Sequence, residues 1–164
     1  MAALGDADAR RQLAALARDP RAWLGPDDTA WAATLVDRAR RADTALAGAP
    51  LAPSSDLETA LAAAARLFDA ALFFEVHEVL EPHWLVARDE RREALQGLIQ
   101  IAVAWQHLAN GNVAGARSLL TDGAARLHGQ RLVGIDFDGF ARAALEAATT
   151  LPAATPPAFP RLPR

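Results

Sequence analysis

The stretch Phe73–Trp84, FFEVHEVLEPHW, decides how the chain is read. It sets His77, Glu78 and Glu81 among large apolar side chains. On a helical wheel with His77 at zero, Glu81 falls near +40° and Trp84 near −20°, at roughly 100° per residue. Phe73 falls near −40°, Phe74 near +60° and Leu80 near −60°, again at roughly 100° per residue. A face of Phe, Leu and Trp is expected to point at the core. His77 and Glu81 are therefore expected in the middle of a buried surface, with Glu78 at its edge. A buried polar group needs a hydrogen-bond partner, because leaving it unpaired costs roughly 1–3 kcal/mol. Pro82 lacks a backbone N–H and clashes with the carbonyl four residues earlier, so the helix is expected to kink or end there.

The next helix offers a matching set of partners. In EALQGLIQIAVAWQHL, Gln96, Gln100, Val103 and His107 fall within roughly 60° of one another. Leu98, Ile101, Trp105 and Leu108 occupy the opposite side. A helix apolar nearly all round is central and buried. Gly97 lets a neighbouring helix approach closely. The economical expectation is that the two polar stripes meet, joining His77 and Glu81 to Gln96, Gln100 or His107.

Working outward, nothing reads as a strand, because alternating β-branched runs are absent while Ala, Leu, Arg and Glu dominate. Asp6 caps a first helix to about Arg18, which Asp19-Pro20 stops. Gly25-Pro26-Asp27 opens a second, ended by Gly48, Pro50 and Pro53. Ser54-Ser55-Asp56 caps a third through about Phe68. Helices follow from about Phe73 to Val86 and from Asp89-Glu90 to about Ala109. The tight turn Asn110-Gly111-Asn112 leads to a sixth helix that stops near Gly129. Gly134 to Asp138 is a loop, and Asp136 or Asp138 caps a last helix through about Thr149. The tail LPAATPPAFPRLPR is too rich in proline to be helical; either Phe159 and Leu162 dock it along the body or it is loose.

The expected architecture is an all-α, compact, single-domain bundle of about seven helices. It divides into an N-terminal helical extension packed on the core (1–50), a helical core (51–150) and the proline-rich tail (151–164). Leu67-Phe68, Phe73, Val76 and Leu80 match His107-Leu108, Val113, Ala116 and Leu120 at a forty-residue offset. This gives the helix hairpins a weakly repeat-like pairing, with too few copies for an array.

Composition narrows the function. The 164 residues suit one domain, and 52% hydrophobic with 23% charged residues is a soluble globular balance. There is no cysteine, which removes disulfides, thiolate metal sites and cysteine nucleophiles and fits a reducing cytoplasm. The N-terminal stretch has no basic start followed by an apolar run, so it does not read as a signal peptide. No apolar run is long enough to span a membrane. All 17 basic residues are arginine, which is read as codon bias, and the net charge is −3. No face carries the cationic excess that nucleic acid requires.

At FFEVHEVLEPHW, and again at LQGLIQIAVAWQHLANGNVAGARSLL, the chain resembles the bacterial and archaeal Domain of Unknown Function 309 family. The FFEVHEVLEPHW piece is similar to the family's aromatic-x-x-His-Glu-x-x-Glu-x-x-Trp pattern. The longer piece is similar to its Gln-Gly-Leu-Ile-Gln … His … Gly-Asn pattern. The likeness runs from about Leu57 to Leu132, with a weaker continuation through GIDFDGF. It implies a compact all-helical fold and no known activity. The family tends to have glycine just before the aromatic pair, where this chain has Ala71-Leu72.

Three readings follow for the polar cluster. In the first, His77, Glu81, Gln96, Gln100 and His107 form a buried network that fixes helix register. In the second, His77, Glu78, Glu81, Trp84, Gln96, Gln100 and His107 line a site for a small molecule or a partner segment. In the third, HExxE is a variant of the zinc-protease HExxH, with His77, Glu81 and His107 as metal ligands and Glu78 as base in a metal-dependent hydrolase. No other catalytic motif is present, and Glu81 with His83 has the wrong spacing for a di-iron bundle. His83 and His128 read as surface residues, and Glu90 to Glu93 as a solvated first turn. The resulting expectation is a cytoplasmic interaction or small-ligand-binding protein centred on His77, Glu78 and Glu81. It has no obligatory cofactor, binds neither nucleic acid nor membrane, and has self-association open to it.

Overall fold

The structure is a computed structural model that describes residues 7–19, 29–47 and 56–161. Its packing separates into two compact units, Met1–Leu72 and Phe73–Arg164. The caps expected from Asp6, Gly25-Pro26-Asp27 and Ser54-Ser55, the stop at Gly48 to Pro53, and the docking of Leu162 lie outside the described residues.

The first unit holds α1 (Ala7–Arg18), α2 (Thr29–Leu46) and α3 (Leu57–Asp69). Helix α1 packs on α2, and α2 on α3. Asp56 is the N-cap of α3, accepting from the N–H groups of Glu58 and Thr59 at 3.2 Å each. The core is built largely of alanine, so backbones lie close together, and Leu46, Leu61, Leu67 and Phe68 fill the remaining space.

The second unit holds α4 (Phe73–Val86), α5 (Asp89–Ala109), α6 (Val113–Leu127), β1 (Arg131–Leu132), β2 (Ile135–Asp136) and α7 (Asp138–Thr150). Helix α5 is central: α4 and α6 both pack against it, and α7 packs on α6. Its buried residues run around its circumference, from Leu95 and Leu98 to Ile101, Ala104 and Trp105. Gly97 and Gly123 set the α5–α6 distance. A Cβ on either would lie 2.9 Å from the other's carbonyl oxygen, so the backbones meet there. The tail docks through Phe159, which is buried with its ring 5.4 Å from that of Phe140.

One expectation is corrected and one is narrowed. First, the segment after α6 is not all loop. Arg131 pairs with Asp136, and Leu132 with Ile135, in an antiparallel hairpin. Val133 and Gly134, at φ 44° and 86°, form its two-residue turn. Valine is an unusual left-handed residue, so no turn signal marked the hairpin in the sequence. Second, of the kink or end expected at Pro82 the end does not occur, and α4 keeps the Phe73–Val86 span read from the sequence. The proline is exposed, and the helix continues one turn beyond it to Val86.

The arginines have structural work that composition alone did not suggest. Arg40 donates to the Ala17 carbonyl at the end of α1 (3.0 Å), and Arg10 to that of Leu46 at the end of α2 (2.6 Å). Arg41 reaches Ala70 after α3 (3.2 Å), Arg92 reaches Trp84 in α4 (2.9 Å), and Arg117 reaches Ala148 in α7 (2.9 Å). Each guanidinium reaches a carbonyl at a helix C-terminal end and meets the negative end of the helix dipole, and the Trp84 carbonyl also accepts Ala87 N–H (3.2 Å).

The forty-residue register appears in the backbone. At the end of α3, Leu72 N–H donates to Leu67 O and Ala71 N–H to Phe68 O, both at 2.9 Å. At the end of α5, Asn112 N–H donates to His107 O and Gly111 N–H to Leu108 O, again both at 2.9 Å. Both are Schellman closures, with a left-handed residue at Ala71 (φ 55°) and at Gly111 (φ 78°).

Candidate functional site

Helix α4 carries the cluster, but its buried face is not the one expected. The buried residues are Phe73, Val76, Val79 and Leu80. With His77 at zero, they centre near −90° at roughly 100° per residue, a quarter-turn from the expected face. Phe74 and Trp84 pulled the expectation towards His77, yet Phe74 is 52% exposed. Val76 and Val79, smaller but β-branched, occupy the core side instead.

His77 consequently sits on the shoulder of the helix, and Glu78 and Glu81 are half-exposed. His77 Nδ1 is 3.9 Å from Glu78 Oε1, and Nε2 is 3.7 Å from Glu81 Oε1. The Phe74 ring meets the imidazole edge-on, with centroids 6.2 Å apart. One turn further along this side, the Arg92 guanidinium lies 4.1 Å over the Trp84 ring while also donating to the Trp84 carbonyl. The Trp84 indole N–H is buried without a hydrogen-bond partner.

The expected polar stripe on α5 does not join this group as a hydrogen-bonded network. Among the described residues no polar or charged residue is buried. His107 and Gln100 face α6. The Asn112 side chain accepts from Gly115 N–H through Oδ1 (2.9 Å) and donates through Nδ2 to His107 Nδ1 (2.8 Å). That geometry makes Nδ1 the acceptor and places the imidazole proton on Nε2. Gly115 is required here, because a Cβ would lie 2.6 Å from Asn112 Nδ2. Gln100 opens with Glu93, Asp122, Arg126, His128 and Gln130 onto a cleft of about 450 Å³ between α5 and α6, its Oε1 buried without a partner. Gln96 is half-buried on α5.

The structure thus brings together His77, Glu78 and Glu81, with Trp84 one turn away, and sets His107 and Gln100 against α6. No three His, Asp or Glu side chains converge as a metal site requires among the described residues. The proposed ligand set of His77, Glu81 and His107 is therefore not assembled.

Sequence reasoning missed several roles. Arg92 and Glu93 are not merely a solvated turn: Arg92 covers Trp84, and Glu93 pairs with Arg126 of α6. The cap expected for α7 from Asp136 or Asp138 is not formed, since the N-cap is Phe137 with no side-chain cap bond; Asp136 instead accepts Asp138 N–H (2.9 Å) just before the helix and pairs with Arg131 across the hairpin (2.8 Å). That backbone bond, aided by the guanidinium, holds its carboxyl below the usual range. Asp138 ties the preceding loop by accepting Gly129 N–H (2.7 Å). Glu93 and Arg126 are remote in sequence, and Arg131 meets Asp136 only because the hairpin folds back, so no helical spacing rule points to either pair.

Residues 61–119 match the model of the family described as Domain of unknown function (DUF309). That stretch covers just over a third of the chain. It holds both FFEVHEVLEPHW and LQGLIQIAVAWQHLANGNVAGARSL, whereas GIDFDGF lies beyond it. No curated protein and no solved structure matches the chain. No helix among the described residues is long and apolar enough to cross a membrane.

Proposed function

We propose that this chain is a helical interaction module and that the outer face of α4 is its docking surface. Positions 74, 78, 81 and 85 form a stripe centred roughly 160° from the buried arc of the helix. They are Phe74, Glu78, Glu81 and Leu85, with Leu85 62% exposed and the neighbouring Val86 79% exposed. Contiguous exposed apolar side chains, here Leu85 beside Val86, mark interaction surfaces.

The observation that carries the reading is an internal control. The forty-residue register maps this stripe onto Ala114, Ser118, Thr121 and Ala125 of α6, all exposed. On α6, where Thr121 and Ala125 border a recess towards α7, small and neutral side chains suffice. The same helical position therefore does not need Phe, Glu and Leu in order to fold. Their presence on α4 is accounted for by something that docks there.

The test is site-specific photo-crosslinking in the cell, with the reactive residue placed at Phe74 or Leu85 and, as controls, at Ala114 or Ala125. A discrete adduct from the α4 positions alone is expected. Equal labelling from both helices, or none from α4, would refute the docking surface.

A further inference from the structure

We infer that the recess between α6 and α7 is a binding site for a small apolar carboxylate, an aliphatic or arylalkyl acid anchored by Arg142. The inference does not depend on the α4 docking surface. The recess has a volume of about 670 Å³, a size usual for small-molecule sites. Small residues open it, Ala124 and Ala125 on α6 and Ala141 on α7. Leu145, 48% exposed, stands beside them. Forty residues earlier, α4 carries Trp84 and Leu85 where α6 has Ala124 and Ala125. The smaller pair leaves room for the apolar body of a ligand.

The polar groups of the recess decide what that ligand carries. The Thr121 hydroxyl donates to the Arg117 carbonyl at 3.0 Å. Asp138 Oδ1 accepts Gly129 N–H at 2.7 Å, and His128 Nδ1 lies 3.3 Å from it. This carboxylate is thus engaged in holding the α6–α7 connection. Arg142, one turn further along α7, is exposed. Among the described residues it is the charged group of the recess with no hydrogen bond or ion pair. Arg10, Arg40, Arg41, Arg92 and Arg117, by contrast, are each engaged on a helix carbonyl.

A guanidinium holds a carboxylate through two parallel N–H donors. One guanidinium matches one negative charge. A phosphate dianion would keep uncompensated charge close to Asp138 and would gain nothing from the apolar wall. An ammonium group would meet Arg142 as a like charge. A monocarboxylate with an apolar body satisfies both halves of the recess.

The experiment is a titration of the full chain with phenylbutanoate, followed by amide NMR. The comparisons are phenylbutylamine, which reverses the charge, and the variants Arg142→Gln and Ala125→Leu. The second variant places the α4 residue at its α6 equivalent and fills the recess. Both positions are exposed, so melting temperatures are expected to stay at the wild-type value. The expected result is saturable wild-type binding at about millimolar concentration, because an open recess buries only part of a ligand. Shifts should centre on α6 and α7. Affinity should fall at least about tenfold for the amine and in each variant. Absence of saturable binding, equal binding of the amine, or undiminished affinity in either variant would overturn the inference. Shifts centred elsewhere would overturn it as well.

Discussion

At the end of α3 the N–H of Leu72 reaches the carbonyl of Leu67, and forty residues later that of Asn112 reaches His107. The backbone closures match, but what secures them differs. In the first turn the two residues are leucines, both fully buried, and the left-handed position is Ala71. In the second, the matching pair is His107 and Asn112, joined side chain to side chain, and the left-handed position is Gly111. Apolar burial at the first turn is replaced at the second by a hydrogen bond, which leaves Asn112 also able to cap α6. His107 is thus explained by its turn: it stands where the other turn has leucine, and it works there as an acceptor for Asn112.

The widest effects test whether the repeat extends into the helices. Leu80 and Leu120 occupy equivalent positions and are both fully buried. Replacing either with alanine is expected to cost about 2–5 kcal/mol in urea unfolding. Similar losses would support a shared packing plan, whereas a silent substitution at one site would confine the repeat to its turns. A smaller loss is expected from Asn112→Ala, which removes the α6 cap and should lower stability by about 1 kcal/mol. The smallest effects have opposite signs. Gly111→Ala should cost about 1 kcal/mol, since a Cβ there meets nothing and only the left-handed backbone opposes it. Ala71→Gly should gain about 0.5–1 kcal/mol by relieving the same conformation. Thermal melts of the two variants moving in the same direction would break the equivalence of the turns.

Ala71, just before Leu72 and the aromatic pair, stands at the left-handed position of that closure. The helices were legible because alanine and leucine periodicity is bounded by strong local signals. Asp56 caps α3, Asn110-Gly111-Asn112 separates α5 from α6, and α4 spans Phe73–Val86 as its pattern predicts. The cluster was legible only in part. His77, Glu78 and Glu81 are neighbours because one helix carries them. Their expected meeting with Gln100 and His107 depended on the rotation of two helices, which side-chain volume set wrongly at Phe74 and Trp84. The hairpin at 131–136 escaped because Val133 takes a backbone conformation that valine seldom adopts.

The packing order has a consequence in time. Helix α1 lies on α2, α2 on α3, α4 on α5, α5 on α6, and α6 on α7, so the principal helix contacts join neighbours along the chain. The closures at 67–72 and 107–112 each require only six residues to find one another. Chains dominated by such short-range contacts reach their native state in about microseconds to milliseconds. In this chain the exposed α4 face would then be assembled early, by a hairpin that needs no distant segment to complete it.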